Sequence, residues 1–345
     1  MSDHLLEVKN LRTNFATGGG IVQAVRGIDI YVDSGEFLGI VGESGCGKSV
    51  TMMSIMRLLA DNAAVRADAL EFDGRDILSQ SKKEMKRIRG NEIGMIFQDP
   101  MTSLNPLYTV GNQLMEPLRV HKKLSKAQAR EKAIEMLRLV GINEPEKRMK
   151  QYPHEMSGGM RQRAMIAVAM CCDPKILIAD EPTTALDVTI QAQIMELMQE
   201  LKEKFSTSVI LITHDLGVIA QVCTRVVVMY GGLIMEEGSL DQIFYETKHP
   251  YTKGLLESVP HSETMEKGTY VKQKLKPIPG SPPDLMNPPK GCPFAARCQN
   301  AMKICNMAPA ELATVSEGHR AACWLLHPQA KQGEIVEQEG TSERK

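Results

Sequence analysis

The sequence predicts an α/β fold in which a parallel β-sheet carries polar loops at the carboxyl ends of its strands. Four short apolar runs, each followed by a polar or glycine-bearing segment, indicate buried strands at residues 37–41, 93–97, 176–179 and 209–212. Helical periodicity lies between them, as in residues 189–204, where apolar side chains recur on one face. Alternating strands and helices form parallel sheets, which bind ligands beyond the carboxyl ends of their strands.

The composition is that of a folded, nearly neutral protein. Of the 345 residues, 43% are hydrophobic and 24% are charged, and the formal net charge is −1. This balance excludes wholesale disorder and disfavours nucleic-acid binding, which normally requires a strongly basic domain. The longest apolar run, residues 164–172, is too short to span a bilayer, and the N-terminus has no secretory pattern. We therefore expect a soluble cytoplasmic protein that can dock on a membrane partner.

A glycine-rich segment after the first buried strand matches the phosphate-binding pattern G-x-x-x-x-G-K-[ST], and Val50 opens a helical segment behind it. In such a P-loop the backbone N–H groups and the helix N-terminus surround the phosphates. Lys48 is expected to reach the β- and γ-phosphates, and Ser49 to ligate Mg²⁺. The predicted nucleotide-binding segment consists of Gly42, Glu43, Ser44, Gly45, Cys46, Gly47, Lys48, Ser49 and Val50.

Two carboxylates, Asp180 and Glu181, follow a second buried strand. A P-loop needs an acid at the end of another strand, where Asp180 can hold Mg²⁺ through water. Glu181 lies one residue further on, where a carboxylate can polarise the attacking water. Alone, this pair is equally typical of a charged strand end. Together with the P-loop, it predicts nucleotide hydrolysis.

Further segments complete a set that resembles the ATP-binding cassette (ABC) proteins. Residues 156–163, Met-Ser-Gly-Gly-Met-Arg-Gln-Arg, resemble the signature motif of that family. Gln98 and His214 each end a predicted strand and resemble its glutamine loop and its histidine switch. Residues 185–187 resemble its D-loop, and Phe15 lies where the family has an aromatic ring under the adenine.

The resemblance implies a RecA-like core with an antiparallel β subdomain and a helical subdomain at about residues 99–165. It also implies a head-to-tail dimer in which each ATP lies between the P-loop of one cassette and the signature motif of the other. Glu181 would be the general base, His214 would contact the γ-phosphate, and Gln98 would sense Mg²⁺ and the water. The nucleotide contacts that the resemblance adds are Phe15, Ser157, Gly158, Gly159 and Asp187.

Finer features resemble the D-type ATPase subunits of oligopeptide and dipeptide permeases. They include Met160, where the general signature has glutamine, and residues 97–106, 249–252 and 279–283. The resemblance spans residues 4–328 and implies a heterodimer with a second ATPase, two membrane permeases and an extracytoplasmic peptide-binding protein. The chain would bind ATP and Mg²⁺ at the cytoplasmic face of the cell membrane. Some members of the family move nickel or other small solutes, so the class of solute stays open.

A nucleic-acid-associated cassette ATPase is the alternative from a different class. The DNA-repair type inserts a long coiled coil before its signature, whereas only 108 residues separate Lys48 from Ser157 here. The translation type has two cassettes, and this chain has one P-loop. A solvated helix face is the simpler explanation of its one basic run, so we predict no nucleic-acid partner. That run consists of Lys82, Lys83, Lys86, Arg87 and Arg89.

Composition divides the chain into three parts. Residues 1–240 form the predicted nucleotide-binding domain, residues 241–330 a small, loop-rich C-terminal extension, and residues 331–345 a disordered tail. Within the extension, residues 276–291 contain six prolines. Proline fixes φ and lacks a backbone donor, so this segment is predicted to be an extended strap.

The extension also contains a four-cysteine module composed of Cys292, Cys298, Cys305 and Cys323. In a reducing cytosol such a module is more typical of a metal site than of disulfides. Its spacing, C-x5-C-x6-C-x17-C, lacks the short pair usual in zinc sites and suits a [4Fe–4S] cluster better. The family resemblance implies the same cluster, while zinc and four buried thiols without metal remain open. We expect the module to be structural and to pin the extension against the partner ATPase.

Overall fold

The computed structural model describes residues 4–98, 103–184, 186–259 and 277–332. Within these ranges the chain forms two β-sheets, one of eight strands and one of five, with a group of helices inserted between two strands of the larger sheet. Ala185 of the predicted D-loop lies outside the described residues, as do residues 99–102, where the predicted helical subdomain begins.

The strands of the described residues are given first, in chain order. They are Leu6–Thr17 (β1), Gly20–Val32 (β2), Phe37–Val41 (β3), Ala63–Arg66 (β4), Ala69–Phe72 (β5), Arg75–Asp76 (β6), Ile93–Ile96 (β7), Ile176–Asp180 (β8), Ser208–Thr213 (β9), Arg225–Tyr230 (β10), Leu233–Ser239 (β11), Ala313–Ser316 (β12) and His319–Ala321 (β13). All four predicted strands are present as β3, β7, β8 and β9.

The described α-helices follow the same order. They are Lys48–Ile55 (α1), Lys82–Ile88 (α2), Val110–His121 (α3), Lys126–Leu139 (α4), Pro145–Arg148 (α5), Gly158–Met170 (α6), Val188–Phe205 (α7), Leu216–Val222 (α8), Leu240–Tyr245 (α9), Pro250–Glu257 (α10) and Lys303–Met307 (α11). The helices α3 to α6 correspond to the predicted helical subdomain, although α6 continues past residue 165. The helix α7 confirms the helix predicted at residues 189–204.

The larger sheet brings the predicted functional loops to one edge. Its strand order is β12-β13-β11-β10-β3-β9-β8-β7, and the five strands from β10 to β7 run parallel. The loops that follow β3, β7, β8 and β9 therefore leave the sheet on the same side. These are the loops that contain the P-loop, Gln98, Glu181 and His214.

Both faces of the parallel part of the larger sheet are buried, and alternate residues of each parallel strand point to opposite faces. Leu38 and Ile40 belong to the core shared with the smaller, antiparallel sheet. Phe37 and Val41 belong to the core shared with the helices. This two-sided burial explains why these strands are continuous apolar runs in the sequence.

The C-terminal extension is joined to the larger sheet, which was not predicted. Strand β13 pairs with β11, so the β12–β13 hairpin lengthens the sheet at one edge. His319 on β13 bonds Glu236 on β11 through Nε2 and Oε1, 2.8 Å apart, and both side chains are completely buried. Before the hairpin, residues 277–291 form neither helix nor strand, as predicted for the strap.

The end of the described chain differs in part from the predicted tail. Residues 331 and 332 belong to a 3₁₀ turn, Pro328–Gln332, and residues 333–345 lie outside the described residues. Across the described ranges, no helix combines the length and apolar character needed to cross a bilayer.

Candidate active site

The P-loop curls tightly between β3 and α1, and its glycines make that path possible. Gly42 has φ 152°, and a Cβ there would lie 2.1 Å from the carbonyl oxygen of Met229. Gly47, the residue before α1, has φ 103°, and a Cβ there would lie 2.5 Å from the carbonyl oxygen of Ala24. Side chains are therefore excluded at both positions, and the backbone can close around a phosphate.

Lys48 is held inside this loop. Its ammonium group donates to the carbonyl oxygens of Gly42, at 2.6 Å, and Glu43, at 3.0 Å. Only 5% of the residue is exposed. Its third partner is the Cys46 sulfur, at 3.7 Å. A buried cation that bonds two carbonyls and a thiol is a ready partner for an anionic ligand, because a phosphate oxygen forms a stronger, charge-assisted bond.

Ser49 and Asp180 meet as predicted. The Ser49 hydroxyl donates to Asp180 Oδ1 at 2.8 Å, joining the start of α1 to the end of β8. Burial raises the pKa of Asp180, and the bond from Ser49 offsets part of that rise. A hydroxyl and a buried carboxylate are oxygen ligands of the kind Mg²⁺ prefers, and a cation would offset the cost of burying the charge. The donor set therefore fits Mg²⁺.

Glu181 lies where three predicted loops converge. Its carboxylate accepts from Gln98 Nε2 at 2.8 Å, from the Thr184 hydroxyl at 3.0 Å, and contacts His214 Nδ1 at 3.3 Å. Its backbone has φ 46°, a left-handed conformation that is uncommon outside glycine. Backbone strain of this kind is concentrated at functional sites, where the surrounding structure over-determines it.

The surroundings of Glu181 favour the ionised form of its carboxyl group. Burial raises the pKa of its carboxyl, but the hydrogen bonds from Thr184 and His214 and the charge of His214 outweigh that effect, and the net shift is downward. The carboxylate is therefore ionised at neutral pH. His214 itself is exposed over 65% of its side chain, so it can reach a ligand as well as Glu181.

The signature residues lie at the exposed start of α6. The Ser157 hydroxyl caps the helix by accepting from the Met160 N–H at 3.3 Å, and Gly158 and Gly159 form its first turn. No hydrogen bond or ion pair within the described part of the chain joins these three residues to the P-loop. An exposed helix start with free N–H groups is suited to an anion brought by another molecule.

Asp187 and Phe15 occupy separate positions around the site. Asp187 is exposed and caps α7 by accepting from the Ile190 N–H at 2.9 Å. Phe15 is half-buried on β1, opposite Val22 on β2 and Ala63 on β4. The protein alone therefore fixes the placement of these two residues but not their contact with a nucleotide.

Three residues that support the P-loop were not predicted. The Glu43 N–H donates to the Tyr251 hydroxyl at 2.9 Å, and Arg297 Nη1 lies 2.7 Å from Glu43 Oε2. Arg297 also donates to the Tyr230 hydroxyl at 2.9 Å. The segment around Tyr251 stands out in the sequence only through the family resemblance. Nothing in the local pattern marks Arg297.

The four-cysteine module is assembled in space. The Cys292 N–H donates to the Cys305 carbonyl at 2.7 Å, and Cys298, Cys305 and Cys323 lie near enough to Cys292 to add to the rise of its pKa. Burial, with the neighbouring thiols adding to it, raises the pKa of Cys292 to about 12 and that of Cys323 to about 11. Among the described residues, however, no group of three or more Cys, His, Asp or Glu residues is arranged to hold a metal ion.

Two family models match this chain. The model described as ABC transporter matches residues 25–184, which include the P-loop, the signature motif and Glu181. The model described as oligopeptide/dipeptide transporter, C-terminal region, matches residues 235–305, which include three of the four cysteines.

Curated relatives are similar to this chain over nearly its whole length. The oligopeptide transport ATP-binding protein OppD of Bacillus subtilis is 55% identical over 334 residues, covering 96% of this chain and 92% of its own. The dipeptide transport ATP-binding protein DppD of the same organism is 55% identical over 330 residues, with 95% and 97% coverage. OppD of Escherichia coli is 52% identical over 323 residues, with 94% coverage of both chains.

Solved structures share the fold of the nucleotide-binding part. The dimeric ATP-binding cassette MJ0796, in a post-hydrolysis state with ADP and Pi, is 29% identical with a TM-score of 0.61. The match covers 68% of this chain and 98% of that one. The cassette cbiO1 of Clostridium perfringens is 28% identical with a TM-score of 0.59, covering 71% of this chain and 92% of its own.

Proposed function

The chain belongs to the family of ATP-binding subunits of oligopeptide and dipeptide ABC transporters, and we propose that it hydrolyses ATP to drive peptide import across the cell membrane. The observation that carries this proposal is the Glu181 carboxylate, held by Gln98, Thr184 and His214 beside the P-loop. A carboxylate kept ionised at this position is what ATP hydrolysis requires. The names of the relatives supply the peptide as solute.

The geometry supports a division of labour among the site residues. Lys48 would exchange its two carbonyl partners for oxygens of the β- and γ-phosphates. Ser49 and Asp180 would hold Mg²⁺, which neutralises charge on the phosphates when bound. Glu181 would take a proton from the attacking water. At the same time the oxygen of that water would bond to the γ-phosphorus, and the bond from this phosphorus to the leaving ADP oxygen would break. Gln98 and His214 would keep the Glu181 carboxylate aimed at that water.

A second ATPase subunit would complete each site. The exposed start of α6, with Ser157 as its cap, supports a role in binding the γ-phosphate of an ATP held by the partner. The exposed Asp187 at the start of α7 would face the same interface. Phe15 would stack on the adenine, since an aromatic ring that is only half-buried has a face to offer.

The helical subdomain offers a surface for the membrane permeases. A cavity of about 1140 Å³ is lined mainly by α3, the loop before it and the start of α4, with Tyr108 and Val120 on its wall. Tyr108 is 55% exposed and the adjacent Leu107 is 80% exposed. We propose that a short cytoplasmic helix of a permease binds here, which would hold the chain on the cytoplasmic face of the membrane.

The test is ATP hydrolysis by the complex assembled with its second ATPase and two permeases in lipid vesicles. A peptide-loaded binding protein should stimulate hydrolysis about tenfold, the usual scale of coupling between sites. Tyr108→Asp should keep the unstimulated rate and lose the stimulation, because a buried charge would oppose docking. Tyr245→Asp, which alters an exposed tyrosine outside the helical subdomain, is the matched control and should respond like the unmodified complex.

Each arm can contradict a separate part of the proposal. Stimulation by a nickel-loaded binding protein but not by a peptide-loaded one would replace peptide with a small solute. Normal stimulation of Tyr108→Asp would place the permease elsewhere.

The structure adds no support for the nucleic-acid alternative. Arg89 of the basic run is not a solvated residue, because its guanidinium donates to the carbonyl of Met56 at 2.7 Å.

We also propose that the four-cysteine module binds a [4Fe–4S] cluster. Thiols with a raised pKa are protonated at neutral pH, and a metal centre would stabilise their thiolates instead. The spacing of the cysteines, C-x5-C-x6-C-x17-C, supports a cluster over zinc, because it lacks the short pair usual in zinc sites. In the described ranges no group of three or more Cys, His, Asp or Glu residues is arranged to hold any metal ion, so the proposal rests on this spacing.

Metal analysis of protein purified without oxygen decides this point. We expect about four irons and matching sulfide per chain, with brown absorbance that fades in air. Cys298→Ser should lose the colour, whereas Cys223→Ser, which alters a buried cysteine of the nucleotide-binding domain, should retain it. One zinc per chain without colour would assign the module to zinc, and absence of both metals would leave four free thiols, of which only that of Cys305 belongs to a buried residue.

A further inference from the structure

Arg297 is the point at which the C-terminal extension contacts the ATP site. It directly precedes Cys298 of the four-cysteine module. Its guanidinium pairs with Glu43 of the P-loop at 2.7 Å, and its side chain is only 6% exposed. A nearly buried, charge-assisted bond of this kind is much less screened by solvent than a surface ion pair.

The extension fixes Arg297 from several sides. Nε donates to the carbonyl of Pro279 at 2.7 Å and Nη2 to that of Ile278 at 3.1 Å, both in the strap. Nη1 donates to the Tyr230 hydroxyl at 2.9 Å. The guanidinium carbon also lies 5.9 Å from the ring centre of Phe294. The strap and the neighbouring side chains therefore hold the Arg297 side chain in one position against the P-loop.

The side chain and the backbone of Glu43 are also held in place, because each of its polar groups has a partner. Its carboxylate pairs with Arg297, its N–H donates to the Tyr251 hydroxyl, and its carbonyl accepts from Lys48. Tyr251 is completely buried against Tyr230, with ring centres 4.5 Å apart. The residue that positions Lys48 is therefore itself positioned by side chains outside the P-loop.

We propose that Arg297 is a positioning residue through which the strap and the four-cysteine module set the affinity of the P-loop for ATP. This proposal rests on the proposed ATPase function. A loop already held in its binding conformation loses less entropy when it closes on the phosphates. Without the Arg297–Glu43 bond, Glu43 would move and the carbonyl that positions Lys48 would move with it. The catalytic carboxylate, Glu181, makes no contact with this network in the described part of the chain.

The experiment measures binding and turnover separately. Binding of a fluorescent ATP analogue to the full chain, purified without oxygen, gives Kd, and hydrolysis by the assembled transporter gives KM and kcat. Arg297→Ala should raise Kd and KM about tenfold, the scale of one bond to a charged group, and change kcat less than about twofold. Arg297→Lys keeps the positive charge but cannot form all the guanidinium hydrogen bonds to the strap. Its Kd should therefore lie between those of the unmodified protein and Arg297→Ala.

A double-mutant cycle identifies the partner. Glu43→Gln leaves the bonds from Arg297 to the strap in place and should raise Kd about as much as Arg297→Ala. The double variant should bind no more weakly than either single variant, because both remove the same bond. If the rise in Kd of the double variant equalled the product of the two single rises, the two residues would act independently, and the proposal would be overturned.

Arg320→Ala is the matched control. Arg320 is also an extension arginine bonded to a buried carboxylate, that of Glu237 at 2.6 Å, but it lies on β13 and does not contact the P-loop. It should lower the melting temperature and leave Kd unchanged. A wild-type Kd for folded Arg297→Ala, or an equal rise in Kd for Arg320→Ala, would show that Arg297 has no specific role. An unmodified complex without ATPase activity would instead contradict the proposed function.

Discussion

Replacement of Glu181 by glutamine should lower ATP hydrolysis about a thousandfold while ATP still binds, since general-base catalysis contributes two to four orders of magnitude. The amide keeps the shape of the side chain and its contact with the Thr184 hydroxyl but cannot accept the proton of the attacking water. ATP should then accumulate uncleaved and hold the two ATPase subunits closed. The measurement is hydrolysis by the assembled transporter, with the change in both ATPase subunits, together with nucleotide occupancy.

Glu200→Gln is the control for this substitution, because Glu200 is an exposed glutamate on the helix that follows Glu181. It should hydrolyse ATP at the normal rate. The pH dependence of hydrolysis gives a second readout. The pKa of the Glu181 carboxyl lies below its ordinary value of 4.5, so the group keeps its base form in the mildly acidic range. Titration of Glu181 should therefore not lower the rate of the unmodified transporter in that range. Full turnover by Glu181→Gln would exclude Glu181 as the base.

The convergence of the candidate nucleotide-site residues could be predicted because each of them belongs to a short, local sequence pattern. The P-loop needs glycine where a Cβ would meet backbone, as at Gly42 and Gly47, and this requirement leaves a recognisable spacing. Asp180 and Glu181 follow a short apolar run, which is typical of a buried parallel strand. Parallel strands then bring these local patterns to one edge of the sheet, so order along the chain was enough to predict proximity in space.

The support for the P-loop could not be predicted because its partners are distant in sequence. Arg297 and Glu43 are 254 residues apart, and Tyr251 and Glu43 are 208 apart. A single arginine between alanine and cysteine has no periodicity that marks it as buried. The prediction that the strap forms neither helix nor strand is confirmed over residues 277–291, but its proline content does not indicate which surface it covers.

The β12–β13 hairpin was missed for a different physical reason. Its strands have four and three residues, and the side chains of β12 are mostly exposed, so the alternation that marks a half-buried strand is absent. The hairpin is fixed instead by His319, which meets the buried Glu236 across β13 and β11. A buried pair of this kind depends on tertiary contact alone, and neither residue type indicates a strand.

Removal of the Lys48 ammonium group should act on binding rather than on catalysis, which separates it from the Glu181 substitution. Lys48 is the only P-loop side chain that carries a positive charge, and its two carbonyl partners hold it where the phosphates would lie. Loss of charge-assisted bonds to two phosphates should raise the Kd for ATP about a hundredfold. Hydrolysis at ATP concentrations well below KM should fall in proportion.

Lys48→Met is the informative form of this test, because methionine fills most of the buried space that alanine would leave empty. The same measurement on Lys83→Met, which alters an exposed lysine of α2, is the control and should give an unchanged Kd. Thermal unfolding without nucleotide shows that the variant is folded, and ATP should stabilise the unmodified protein and Lys83→Met much more than Lys48→Met. If folded Lys48→Met bound ATP with the normal Kd, the segment from Gly42 to Ser49 would not be the phosphate site, and the assignment of the ATP site would fail with it.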